Sequence, residues 1–359
     1  MYAESPENET WLLPSTEENL DRWHAVVPGA PGTPYAYGMF HFDIKFDGDY
    51  PYNPPKVKTC TTSNATVRFN PNLYTNGKVC LSILGTWQGD RWSPEYNLEK
   101  MLMNLKGMIL VQNPLRNEPA YRSATEDACL SHSIMVQEYT FRVAIIEVME
   151  DTLAYNERRN GAWKTFYRER ITYYMRHYEN IINEVNLFDT MRKTVEGRTV
   201  EQTVRLNHQG MTANNIKKKL ESIYDEIMAM FNKKDLYDCH LAKFTPSKAQ
   251  DATWNGVGLE IQMFLPKYPQ SLPPYVHFTN NIFHTNVSIG GVPYLDFKIK
   301  PDWTSMEMVQ AVHDLISGEA DVRNYIKWLN PKAQVAYTKD FKAYTETVLR
   351  YLSRIANEI

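Results

Sequence analysis

Cysteine is scarce in this 359-residue chain, with only Cys60, Cys80, Cys129 and Cys239 present. Four scattered thiols cannot make a disulfide framework. No two of them form a Cys-x-x-Cys pair, so the usual structural zinc site is not expected either. Long hydrophobic runs are missing too: Met108 to Val111 falls far short of the roughly 20 apolar residues a bilayer requires, so no membrane partner is expected. An excess of one charge is also missing. The 39 Lys and Arg against 42 Asp and Glu leave a net charge of -3, which gives no field for nucleic acid. The opening Met1 to Thr10 lacks the basic and apolar stretches of a secretory signal. A reducing setting, cytoplasmic or nuclear, is the expectation.

What is present is the material of a folded protein: 43% apolar and 13% aromatic residues, in a chain long enough for two domains. The first part reads as strands followed by helices. Thr10 to Pro14 and Trp23 to Val27 are short apolar runs, Met39 to Phe46 alternates, and Lys56 to Thr61 is a further strand. The last is entered through Tyr50-Pro51-Tyr52-Asn53-Pro54-Pro55, expected to be a rigid extended surface loop because consecutive prolines join neither ladder nor helix. Ser93-Pro94-Glu95 reads as the start of a helix running to about Val111. Trp163, Tyr167, Ile171, Tyr174, Tyr178, Ile182 and Val185 mark one face of a long packing helix. Ile216 to Phe231 marks another, with Lys217 to Lys219 on its solvated side. A flexible break is expected between Glu196 and Gly210.

The chain also repeats itself. Tyr268-Pro269-Gln270-Ser271-Leu272-Pro273-Pro274-Tyr275-Val276 echoes Tyr50 to Val57 with one residue inserted, and Phe283-His284-Thr285-Asn286 echoes Phe69-Asn70-Pro71-Asn72. At the offset of 214 (286 minus 72), Cys80 falls on Tyr294, and Asp302-Trp303-Thr304 then matches Arg91-Trp92-Ser93. Four features kept in order mark a duplication.

Cys80 lies between the turn Thr75-Asn76-Gly77-Lys78 and the loop Gly85-Thr86-Trp87-Gln88-Gly89. That backbone-rich setting is expected to expose the thiol as an acyl nucleophile. Asn72, eight residues earlier, carries an amide able to donate to an oxyanion.

The stretch Tyr50 to Pro55, then Phe69-Asn70-Pro71-Asn72, then Asn76-Gly77-Lys78-Val79-Cys80-Leu81-Ser82-Ile83-Leu84-Gly85-Thr86-Trp87 resembles the catalytic core of ubiquitin-conjugating enzymes. Trp92-Ser93-Pro94 and Asn117-Glu118-Pro119 fit as well, and the details are most similar to the large members related to ubiquitin-conjugating enzyme Z. The resemblance implies an α/β (α+β) fold of two such domains, each an antiparallel sheet flanked by helices. Residues 1–155 would be catalytic, 156–211 a helical linker and 212–359 a degenerate copy.

It also implies roles. Cys80 carries the modifier as a thioester, Asn72 orders the loop and steadies the oxyanion, and Glu118 orients and deprotonates the incoming lysine. Tyr52, Ser93 and Pro94 meet a ubiquitin ligase. The partners implied are ubiquitin or a ubiquitin-like modifier, an activating enzyme, a ligase and protein substrates, with no metal or organic cofactor. Asn70 stands where the family has His, and about nine residues stand where it has an opening helix, so charging by the activating enzyme is expected to use another surface unless the start is truncated. In the second copy Tyr294 replaces the thiol, and a phenol with a pKa near ~10 is a poor thioester carrier. Asn286 and His284 are then remnants or folding elements. Two other readings are a non-catalytic ubiquitin-binding adaptor and a cysteine hydrolase pairing Cys80 with His132.

Overall fold

Alternation of buried and outward side chains builds the first sheet. Strands β1 (Trp11–Pro14), β2 (Arg22–Pro28), β3 (Met39–Lys45) and β4 (Lys56–Thr59) pair antiparallel in chain order. The registers include Val26 opposite His41 and Ile44 opposite Val57. Ala25, Val27, Phe40, Phe42 and Ile44 supply the buried face. Helix α1 (Leu98–Met108) adds Met101, Leu102 and Leu105, all within 5% of full burial. These side chains form one apolar core with Phe69, Leu73, Val79 and Leu81, the residues that bracket Cys80.

The helix opens later than the Ser93-Pro94-Glu95 pattern implies. Tyr96 N–H donates to the Ser93 carbonyl at 2.8 Å, closing a turn. The cap is the extended residue Asn97, whose side chain accepts from Lys100 N–H at 2.9 Å. The proline loop also differs from the extended expectation. Tyr52 and Asn53 N–H both donate to the Asp49 carbonyl, so the chain turns before Pro54 and Pro55 lead into β4.

Helix α2 (Glu126–Tyr139) passes without a break into a π-helical stretch, Thr140–Glu147, and then into α3 (Val148–Ala154). Thr140 hydroxyl donates to the Pro34 carbonyl at 2.8 Å. The neighbouring turn lies so close that a Cβ at Gly38 would sit 2.7 Å from the Thr140 methyl. Glycine at 38 is therefore a packing requirement.

The structure is a computed structural model that describes residues 10–15, 20–154, 162–196, 210–233, 237–246, 257–267, 275–279 and 305–317. The chain divides into two units, Met1–Asp151 with Asn183–Leu220, and Thr152–Ile182 with Glu221–Ile359. Helix α4 (Ala162–Glu196) supplies the long helix expected from its periodicity. The division between units falls within it, so the segment expected as a linker is shared between them. In the first unit Gln137 donates to Glu184 at 3.3 Å and Phe141 meets Phe188 edge-on at 5.7 Å. Met211 N–H donates to the buried Glu138 carboxylate at 2.9 Å.

The division also falls within α5 (Ala213–Phe231); in the second unit its later part is followed by β5 (Tyr237–Phe244), β6 (Leu259–Pro266) and β7 (Tyr275–Phe278), an antiparallel meander in chain order. Val276 lies opposite Met263 and Val57 opposite Ile44, so in both copies the segment's valine enters a strand paired antiparallel to the one before it. Phe231, Phe264 and Tyr275 stack at this sheet, and α6 (Ser305–Ser317) follows it. Tyr294, Asn286 and His284 lie outside the described residues, as do the repeat's 268–274 and 302–304 and the break expected at 197–209.

Burial pushes the Glu184 carboxyl up to about 7. Because the folded pKa is raised, its contribution to stability is complete below the ordinary carboxyl range near ~4.3 and is lost as pH rises through about 7. Denaturant midpoints should therefore fall between pH 5 and pH 8 by an amount on the order of 2 kcal/mol from this group. Glu184→Gln should flatten the profile, measured by urea unfolding across that range.

Candidate active site

Three connected turns deliver Cys80. Tyr74 N–H donates to the Lys78 carbonyl at 2.9 Å, and Thr59 N–H donates to the Gly77 carbonyl at 2.9 Å, fastening the turn to the end of β4. Cys80 N–H then donates to the Asn72 carbonyl at 2.8 Å, while Asn72 Nδ2 donates to the Cys80 carbonyl at 2.7 Å. Both polar groups of the Cys80 peptide unit are thus held by one residue. Asn72 Oδ1 is buried and has no hydrogen-bond partner among the described residues, a costly arrangement.

Asn70, in the histidine's place, is the hub. Its Nδ2 donates to the Ile109 carbonyl at 2.8 Å and to the Tyr35 hydroxyl at 3.0 Å, and its Oδ1 accepts from Asn72 N–H at 2.8 Å. The Tyr35 hydroxyl in turn donates to the Phe69 carbonyl at 2.9 Å. Burial raises that phenol's pKa well above its ordinary value, so it stays a donor. An amide replaces imidazole here because the place asks for two donors and an acceptor, which Asn supplies without a charge.

The same Asn70 Oδ1 accepts from Asn117 Nδ2 at 3.4 Å, and Asn117 also donates to the Met108 carbonyl at 2.8 Å. The residue after Asn117 is Glu118, which is half-buried and starts the turn through Pro119. Arg116 holds the other side of this loop, donating to the Ala124 carbonyl and to the Glu126 carboxylate at the start of α2. Loops bearing Cys80, Asn72 and Glu118 are therefore bound to one amide.

On the far side of Cys80, the Thr86 hydroxyl accepts from Leu81 N–H at 2.9 Å and donates to the Val79 carbonyl at 2.7 Å. Thr86 so clasps both neighbours of the cysteine from an exposed loop. Gly89 (φ +132°) lets that loop fold back, and a Cβ there would meet Ser82 Cβ at 3.0 Å.

Tyr52, Ser93 and Pro94 are brought to one place by Trp92. Its indole N–H donates to the Pro51 carbonyl at 2.7 Å, and its ring packs against Tyr50 and Tyr96. Tyr52 is 79% exposed, Pro94 is exposed and Ser93 half-buried. Between this corner, the 85–92 loop and Pro119 lies a cleft of about 1150 Å³.

One expectation is overturned. Cys80 is 2% exposed, not open to solvent. The glycines and asparagine of its flanks read as an exposed turn, but their backbone groups are spent on Asn72 and on β4. Val79 and Leu81 on either side point into the core. Two residues that the sequence marks only as motif members have roles that spacing does not reveal: Thr86, whose hydroxyl bridges the neighbours of Cys80, and Asn117, whose amide acts across 47 positions. His132, half-buried with its ring held below the ordinary pKa by burial, makes no hydrogen bond at Nδ1, and the Cys80 network described here does not include it.

Residues 2–141 match the family model described as ubiquitin-conjugating enzyme. Over 181 residues the chain is 37% identical to ubiquitin-conjugating enzyme E2 Z of Homo sapiens, covering 48% of this chain and 49% of that one. The Danio rerio protein of the same name is 33% identical over 223 residues, 59% of this chain and 62% of that one. The dual E2 ubiquitin-conjugating enzyme/E3 ubiquitin-protein ligase BIRC6 of Homo sapiens is 48% identical over 109 residues, 29% of this chain and 2% of that protein. The chain spans about half the length of the first curated relatives it matches.

Two substitutions test the geometry. Asn70→Ala strips partners from several buried groups at once and should lower stability by about 3 kcal/mol, read by thermal or urea unfolding. Thr86→Val removes the clasp without changing shape. Alkylation of Cys80 should then quicken about tenfold, the equivalent of one net hydrogen bond. Labelling at the exposed Cys60 and Cys239, followed by mass spectrometry, should stay unchanged.

Proposed function

Residues 2–141 belong to the ubiquitin-conjugating enzyme family, and on that premise we propose that the chain accepts ubiquitin or a ubiquitin-like modifier as a thioester on Cys80 and passes it to a lysine of a protein substrate. The single observation that carries this reading is the reciprocal pair of hydrogen bonds between Asn72 and Cys80, which fixes a thiol-bearing peptide as an acyl-transfer nucleophile requires.

The thiolate attacks the activated carboxyl carbon of the modifier delivered by an activating enzyme, and the activating enzyme's own thiolate leaves. A thioester now joins the modifier to Cys80 Sγ. The substrate amine then attacks the same carbon, the Cys80 thiolate departs, and an amide bond remains. Lysine has a pKa near ~10.4, so its amine must lose a proton to attack. Glu118, at the start of the turn beside the cleft, is assigned to orient the lysine and ease that loss. Asn72 spends one N–H on the Cys80 carbonyl. Its second N–H is assigned to the oxyanion of the tetrahedral intermediate.

Because Cys80 is 2% exposed, the first step requires local opening around it. The proposed organisation keeps residues 1–155 as the catalytic domain, 156–211 as the connecting helical part and 212–359 as a copy with no transfer step, because Tyr294 stands at the nucleophile's place. Tyr52, Ser93 and Pro94 form the proposed ligase-facing corner.

Incubation with activating enzyme, ATP and ubiquitin should give an adduct that reductant cleaves. Cys80→Ala should abolish it, and Cys80→Ser should leave a reductant-resistant ester. Glu118→Ala should charge but discharge to free lysine about 100-fold more slowly at neutral pH. Absence of any adduct across a panel of activating enzymes and modifiers would sink the proposal.

A further inference from the structure

The cleft beside the catalytic loops has a one-sided chemistry. Three separate segments wall it: Tyr52 to Pro54, Gly85 to Gly89 with Arg91 and Trp92, and Pro119 with Arg122; the exposed Asp90 of the same loop is not among the lining residues. No carboxylate is among its lining residues, while Arg91 and Arg122 are. Both arginines are exposed, and neither forms an ion pair among the described residues. Elsewhere in this unit guanidinium groups are engaged: Arg22 grips Asp43 through two bonds, and Arg116 reaches Glu126. Two unengaged guanidiniums facing one cleft therefore stand out from the protein's own habit.

The remaining walls are aromatic. Tyr52 is 79% and Trp87 38% exposed, and Trp92 is fixed in place by its bond to the Pro51 carbonyl. Rings of this kind offer flat apolar area at low entropic cost, and guanidinium forks match carboxylates in geometry. A volume of about 1150 Å³ exceeds the ~300–1,000 Å³ typical of small-molecule sites and suits several residues of extended peptide.

We propose that this cleft selects substrates whose acceptor lysine is flanked by acidic and aromatic residues, the acids docking on Arg91 and Arg122 and the ring lying against Trp87. The inference rests on the transferase reading for the identity of the lysine, and names the class of segment that presents it. Glu118 immediately precedes Pro119, the lining residue that shares a wall with Arg122. A basic segment is disfavoured because both guanidiniums would repel it and no lining carboxylate would compensate.

The test is direct binding, which needs no charging of Cys80. The probe is a short fluorescein-labelled peptide with a central lysine between glutamates and one tyrosine. It is titrated against the full chain by fluorescence anisotropy, beside a peptide with glutamines for the glutamates and one with the tyrosine replaced by alanine. The acidic peptide should bind tightest and weaken as salt is raised. Arg91→Gln and Arg122→Gln should each cost about fivefold in affinity for the acidic peptide and leave the glutamine peptide unchanged. Both residues are exposed, so thermal unfolding of the variants should match the parent and certify their fold. Equal binding of the acidic and glutamine peptides, or unaltered binding by both variants, would overturn the inference. Neither result depends on thioester formation, so the loss of this proposal and the loss of the transferase reading give different experimental signatures.

Discussion

A single buried amide organises the first unit. Asn70 touches the end of α1 through Ile109, the β2–β3 connection through Tyr35, the cysteine's partner through Asn72 and the acidic loop through Asn117. The contacts to Ile109, Tyr35 and Asn72 are buried and that to Asn117 half-buried, so an unmet donor or acceptor there is expensive and a satisfied one is correspondingly directive. The core of Phe40, Phe42, Phe69 and Leu105 decides that the sheet and helix meet. The amide decides in which registration the loops above them come to rest. Packing alone would leave that undetermined, because apolar contacts have little directional preference.

Catalytic potential is therefore a property of loops pinned from below. The Cys80 peptide is held on one face by Asn72, and its neighbours are clasped by Thr86 from an exposed loop. The first attachment is buried and the second meets solvent. Local opening free energies follow that gradient, with solvent-facing hydrogen bonds breaking long before the global fold does. The Cys80 segment thus has a buried attachment through Asn72 and a more solvent-facing one through Thr86.

Much of this was readable in the chain. Alternation in Met39 to Phe46 marks a strand because burial of one face imposes that period. The four-three spacing from Trp163 to Val185 marks a helix, but burial of Tyr173 through His177 in succession shows that more than that one face is covered. In both copies of the Tyr-Pro to Pro-Pro-x-Val segment the valine enters an antiparallel strand, Val57 opposite Ile44 and Val276 opposite Met263. What sequence reading missed is instructive. Ser93-Pro94 looks like a helix cap, but Trp92 is tied to Pro51 and the chain completes a turn first. Cys80 looks open because its flanks are small and polar, yet those flanks direct their polarity at each other and at β4. Spacing reports which residues are near in the chain. It cannot report an amide that acts across 47 positions.

The reciprocal pairing of Asn72 with Cys80 has one more consequence. With its amide and carbonyl both committed, the cysteine's backbone has no freedom to migrate toward an electrophile, and only rotation about its Cα–Cβ bond remains. Because the residue is also only 2% exposed, even a small oxidant has little direct access to it in this arrangement.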